Sequence, residues 1–270
     1  MNRAMERASG RPDISGARPW TAAGWLGLVL AGGVLILFIP APPAGAPLEA
    51  PGLAHWLGTD MLGRDLGARL LQGGARSLLI ATAALAFSTT LGGIWGIAAG
   101  FGGGWADRIL TRMMDIALSV PALVLALLIL AALGPGDAAV TAAVGLGGAP
   151  TYARLARAAA AQVRPREFLA AAQSLGAGRL RLVARHLLPN IASPLAAYAV
   201  LHFGWALVNA ASLTFLGFGG SPSAPEWGRM LADARLVFGQ APWQAAAPGL
   251  ALALTVLAVQ RLGEWWLGRE

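Results

Sequence analysis

Apolar segments of membrane-spanning length, cut apart by glycine and proline, constrain this chain more than anything else in it. A helix crossing the hydrocarbon core of a bilayer needs about 20 mostly apolar residues. Six segments meet or approach that length: residues 20–38, 77–99, 109–133, 138–152, 191–218 and 243–262. The first ends at Pro40 and the Pro42-Pro43 pair, the second in the glycine-rich stretch 100–104, and the third at Gly134-Pro135-Gly136. The fourth is short and glycine-rich. The expected fold is therefore all-α and membrane-embedded, with about six transmembrane helices. Only 12% of the 270 residues are charged, against about 25% in soluble domains.

Charge gives the orientation. All twenty basic residues are arginine. Fifteen fall in segments that lie inside if both termini are cytoplasmic, and five (Arg64, Arg69, Arg76, Arg229, Arg235) fall outside. Such a bias is the positive-inside pattern and places both termini in the cytoplasm. It also accounts for the net charge of +7 without a nucleic-acid partner. The first span, an apolar run of about 19 residues, exceeds a signal-peptide core of about 7–15 and reads as an uncleaved anchor. The chain then divides into a cytoplasmic tail (1–19), that anchor (20–40), an outer loop (41–76), a core (77–265) and a short cytoplasmic tail (266–270).

Several chemistries are excluded by residue type. With no lysine, the chain lacks the residue a Walker A phosphate loop requires. With no cysteine, it has no disulfide, cysteine metal site or thiol nucleophile. His55, His186 and His202 are too far apart in sequence to form a ligand-spaced motif. A rhomboid-like intramembrane hydrolase needs serine in a Gly-x-Ser-Gly setting, and Gly217-Phe-Gly-Gly-Ser221 has the wrong order. A secondary transporter would show paired inverted halves and several buried ionisable groups, and these are weak here. No cofactor is expected on this chain.

Residues 154–189 are the most distinctive stretch. They hold seven arginines (Arg154, Arg157, Arg164, Arg166, Arg179, Arg181, Arg185) and one acid, Glu167. Within them, Phe168, Ala171, Ala172 and Leu175 have the three-to-four-residue spacing of one helical face. Phe168 and Leu175 are candidate anchors for a partner's pocket, and the alanines permit close backbone approach. Gly176 suits the turn after such a helix, and Pro189 stands near the first turn of the next span, where a missing amide costs little. The plainer alternative is an amphipathic helix lying on anionic lipid, with the arginines neutralising headgroups.

Among the spans, Asp115 is expected to pair with Arg112 one turn away. His202 and Asn209, seven residues apart, share one face; they are candidates either to line a polar pathway or to hydrogen-bond a neighbouring helix. Trp20, Trp243, Trp265 and Trp266 sit at span ends as interfacial anchors.

The inner stretch resembles the coupling loop of permease subunits of binding-protein-dependent ABC importers. That pattern is Glu-Ala-Ala, three residues and Gly, followed by His-x-Leu-Pro-Asn. Here Ala170-Ala171-Ala172 precedes Gly176, and His186-Leu-Leu-Pro189-Asn190 follows; Ala170 stands where the pattern has glutamate. His55-Trp-Leu-Gly58-Thr-Asp60-Met-Leu-Gly63-Arg64-Asp65 resembles the outer loop of the C-type subunit of dipeptide, oligopeptide and nickel permeases. Residues 225–231, 241–243, 102–107, 113–115 and Pro121 follow the same subunit, so the likeness covers residues 52 to 265.

The resemblance implies a type I ABC importer permease in the bacterial inner membrane. It would pair with a second permease subunit, two ATP-binding subunits and an extracytoplasmic solute-binding protein. The helix from Glu167 to Gly176 would dock on an ATPase and transmit its motion; either Glu167, one turn earlier, supplies the charge missing at Ala170, or small-residue packing alone carries the contact. His186, Pro189 and Asn190 would support it. Gly58 and Gly63 fit tight turns, and Asp60, Arg64 and Asp65 would brace the outer loop. The expected cargo is di- or oligopeptide, with nickel or a metal chelate as the alternative.

Overall fold

The computed structural model describes residues 44–221 and 223–267, together with residues 24, 25, 27–29 and 31. The N-terminal tail, most of the expected first span, Pro222 and the last three residues lie outside the described residues. Among the described residues there is no strand, only an isolated bridge between Thr59 and Asp65.

Helix α1 spans Leu66–Gly102, about 55 Å at 1.5 Å per residue. Asp65 starts it by accepting the Ala68 amide at 2.7 Å, one of the donors a helix start leaves unpaired. The helix begins well before residue 77 because both arginines that interrupt the apolar pattern find carboxylates. Arg69 pairs with Asp60 at 3.2 Å and Arg76 with Asp137 at 2.6 Å.

The expected third span is not straight. It is two helices, α2 (Gly104–Ser119) and α3 (Ala122–Leu133), bent by 89°. Val120, held extended (φ −94°, ψ 129°), is the residue that Pro121 pushes out of the helical region.

The expected fourth span also changes. Helix α4 runs Asp137–Val163 without a break, so Arg154 and Arg157 belong to a helix rather than to the basic loop. Arg154 pairs with Asp115 at 2.8 Å, and Arg157 grips Asp107 through two bonds of 2.5 and 2.9 Å. Asp115 therefore takes its partner from α4, not from Arg112 on its own helix. A contact across helices wins because α2 lies against α4.

Next come α5 (Glu167–Ser174) and α6 (Arg179–Leu182). A π-turn at Val183–Leu187 then leads directly into α7 (Leu188–Phe215). From Arg179 to Phe215 the chain is continuously helical, with Pro189 in the first turn of α7 and the π-turn directly before it. Proline removes an amide and crowds the carbonyl four residues back. The π-turn just before it widens the helix to admit the ring, and Asn190 Nδ2 donates to the His186 carbonyl at 2.7 Å. Helices α8 (Trp227–Arg235) and α9 (Trp243–Leu267) complete the chain.

Three described helices are long and apolar enough to cross a membrane, and a fourth crossing exists if the bent α2–α3 pair is one span. Their outward faces carry Leu79, Ile94, Ile116, Leu128, Leu201 and Leu250, all more than half exposed. In a bilayer such surface meets lipid tails or another subunit. The segments read as outer gather at one end, where Arg76, Asp137 and Gly220 meet. Those read as inner gather at the other, where Arg157 meets Asp107.

Backbone proximity organises the centre. Gly92, Gly96 and Gly100 on α1 lie on one face at four-residue spacing. A Cβ at Gly92 would lie 2.5 Å from the Ala149 carbonyl oxygen; at Gly96 and Gly100 it would strike the Ala153 and Arg157 carbonyls. The α4 contacts advance by the same four residues, so two helical backbones touch along about two turns. Without a hydrophobic drive between helices in lipid, such close packing is what holds them together.

At the outer end, Glu226 knots three helices. Its buried carboxylate accepts from Ser77 on α1 at 2.7 Å, Thr214 on α7 at 2.5 Å and the Arg229 amide of α8 at 3.0 Å. Trp227 beside it is 1% exposed, its ring packed over Gly74 and its indole N–H donating to Leu70 at 2.9 Å. Glu226→Ala orphans buried donors and removes the α8 cap. It is expected to cost about 2 kcal/mol, read as a lower melting temperature of the purified protein in detergent.

Candidate functional site

Helix α5 is eight residues long and stands between the last turn of α4 and the start of α6. Leu169, only 4% exposed, seats it on the protein. Phe168 and Leu175 are 39% and 89% exposed, Ala171 is exposed and Ala172 half-buried. At 100° per residue, Phe168, Ala171, Ala172 and Leu175 cluster on one side, while Leu169, Ala170 and Gln173 lie opposite. The apolar stripe thus faces away from the chain. Glu167 and Ala170 are exposed as well.

The end of α5 is set by Gly176, which has φ +84°. Its amide donates to the Gln173 carbonyl at 2.9 Å, and the Ala177 amide donates to Ala172 at 3.1 Å. These two bonds are a Schellman cap, which places glycine at the left-handed position. The cap aims Leu175 outward and turns the chain toward α6. The supporting residues lie beyond it: His186, half-buried, in the π-turn, with Pro189 and Asn190 exposed in the first turn of α7.

The outer-loop residues come together around Asp60. Its carboxylate accepts from Arg64 Nε at 2.7 Å and from the amides of Leu62 and Arg64 at 2.8 and 2.9 Å, and it pairs with Arg69. Asp65 pairs not with Arg64 but with His55 Nδ1, at 2.9 Å. Gly58 and Gly63 have φ of +79° and +74°, a region closed to most side chains. Every one of these polar groups is engaged within the loop or with α1, which gives the loop a fixed shape.

His202 and Asn209 have separate hydrogen-bond partners. His202 is 4% exposed, with Nε2 3.0 Å from Ser88 Oγ on α1 and its ring stacked on Trp205. Asn209 returns its amide to the Trp205 carbonyl of its own helix at 2.8 Å. His202 is thus engaged with a neighbouring helix, and Gly148 on α4 leaves room for the pair.

Sequence reasoning passed over Leu169, Glu226, Asp107 and the glycine face of α1. The glycine face had a readable signal, glycines at four-residue spacing within an apolar span, and Glu226 and Asp107 lie inside the motif segments 225–231 and 102–107.

Residues 92–267 match the family described as binding-protein-dependent transport system inner membrane component. The chain is similar to the di/tripeptide transport system permease protein DppC of Pseudomonas aeruginosa, 42% identical over 227 residues that cover 84% of this chain and 74% of that one. It is also similar to the glutathione transport system permease protein GsiD of Pectobacterium atrosepticum, 39% identical over 216 residues, 80% of this chain and 72% of that one. A chain of the inward-facing MetNI methionine ABC transporter shares the fold, with a TM-score of 0.61 at 18% identity over 74% of this chain and 95% of that one. On the family match and the identity to these permease proteins, the chain belongs to the binding-protein-dependent transport system inner membrane components.

Proposed function

We propose that this chain is one permease subunit of an ATP-driven importer of di- or oligopeptides in the bacterial inner membrane. It forms half of the translocation path with a second, different permease. Two separate ATP-binding subunits grip α5 and its counterpart, and an extracytoplasmic solute-binding protein docks on the outer loops. Closure of the ATPases pulls the coupling helices and switches access from outside to inside. ATP hydrolysis belongs to those partners, and both termini of this chain lie in the cytoplasm.

The observation that carries the reading is the apolar stripe of α5, turned away from the chain and fixed by a glycine cap. An isolated permease has no use for an exposed Phe168 and Leu175, whereas a docked ATPase covers them. Peptide is preferred to nickel because the relatives are named for di/tripeptide and glutathione transport. The test is uptake by cells expressing the operon that encodes this chain, compared with a strain deleted for this gene alone. Radiolabelled dipeptide uptake is expected to fall to background in the deletion while nickel uptake stays unchanged. Loss of nickel uptake with peptide uptake intact would reverse the assignment.

A further inference from the structure

We propose that the cleft behind α5 binds the phosphate headgroup of an anionic phospholipid. It has a volume of about 320 Å³, in the range of ligand-sized sites. Arg164, Arg166 and Arg179 line it with Gln173, and no acidic residue does. None of the three arginines has a carboxylate within ion-pair distance among the described residues. Asp107, whose charge reaches Arg164, is already held by two bonds to Arg157. Three arginines lining one cleft with no acid among them favour an anion there, and the planar guanidinium fork suits phosphate oxygens.

Place decides the source of the anion. The cleft opens at the last residues of α1, where Phe101 and Gly102 form one wall. That is the inner end of a membrane-spanning helix, and basic pockets between helices on this side take lipid headgroups. Leu169 and Leu182, each 4% exposed, close the floor of the cleft beside the arginines.

The site lies on the side of α5 opposite the exposed stripe, so a headgroup and a partner bind it together. Ala170 lines the cleft. A glutamate there, as in the pattern this stretch resembles, would put a carboxylate among the arginines and neutralise them from within. Alanine leaves that charge to the membrane. The position of α5 thereby becomes sensitive to lipid composition.

The inference rests on α5 facing the cytoplasm, and it is tested by binding rather than transport. The assembled importer is delipidated in detergent, titrated with dioleoyl phosphatidylglycerol or dioleoyl phosphatidylcholine, and examined by native mass spectrometry. One phosphatidylglycerol per copy of this chain is expected to be retained, with phosphatidylcholine lost. The triple variant Arg164→Gln/Arg166→Gln/Arg179→Gln and, separately, Ala170→Glu should each weaken retention about tenfold or more. Arg181→Gln, which removes an exposed charge outside the cleft, should leave retention unchanged. Equal retention in Ala170→Glu, equal loss in Arg181→Gln, equal binding of phosphatidylcholine or displacement by inorganic phosphate would each overturn the assignment. Because Ala170→Glu alters one small exposed residue, it reads the site even if the triple variant fails to assemble.

Discussion

Phe168→Asp is expected to reduce peptide uptake roughly 30-fold or more while the protein remains inserted in the membrane at its normal level. The side chain is 39% exposed, against 4% for its neighbour Leu169, so the fold is expected to tolerate the change. In a docked complex the same side chain would be an aromatic anchor, and losing such an anchor costs about 2 kcal/mol or more. That is about 30-fold in affinity, and a buried unpaired carboxylate adds to the penalty. Leu169→Asp makes the contrast. It charges the buried anchor next door and should reduce the amount of folded protein, not coupling alone. Substrate-stimulated ATPase activity at matched expression separates the two. Full activity in Phe168→Asp would remove α5 from the coupling role.

Gly96→Leu is expected to prevent assembly of the helix core. Any side chain at Gly96 meets the Ala153 carbonyl, the Ala156 methyl and the Arg157 amide, and backbone cannot turn aside as a rotamer can. Overpacking a close-packed site costs about 1–3 kcal/mol or more, and here two membrane helices must separate along their length. We expect a loss of about 3 kcal/mol or more, seen as a lower melting temperature or as no monodisperse protein in detergent. Gly93→Ala is the control on the same helix. Its Cβ would lie 3.8 Å from the Tyr152 ring, ordinary contact, and alanine favours helix over glycine by about 1 kcal/mol. If Gly96→Leu melts like the parent protein, the close approach of α1 and α4 is not what holds the core.

Much of the architecture was legible because membranes simplify the code. Span length, helix breakers and arginine placement gave an all-helical chain with alternating ends, and the contacts gather those ends as expected. The errors share one cause. Residues 154 and 157 were set in a loop, and residues 66–76 outside a helix, because arginines interrupt an apolar run. Arg154, Arg157 and Arg76 have carboxylates far away in sequence, Asp115, Asp107 and Asp137, and Arg69 has Asp60 in the loop just before its helix. Periodicity reads local pattern, and cross-helix pairing is not local. The bend at Pro121 is the reverse case, where a visible proline lies inside a segment whose apolar length reads as one span.

The site divides in the same way. Spacing alone put Phe168, Ala171, Ala172 and Leu175 on one face and Gly176 at a turn, because 3.6 residues per turn and the left-handed cap are properties of the chain itself. Only the tertiary structure could decide which side of α5 faces out, because that depends on Leu169 finding a buried seat. It also decided that Ala170 lines one cleft with Arg164, Arg166 and Arg179, a grouping made by packing. The sequence by itself determined what could enter a membrane and which residues share a helical face, since both follow from local chemistry. Which charges cancel, which helices touch and which arginines remain open to an anion were fixed by packing, which joins residues that the chain keeps apart.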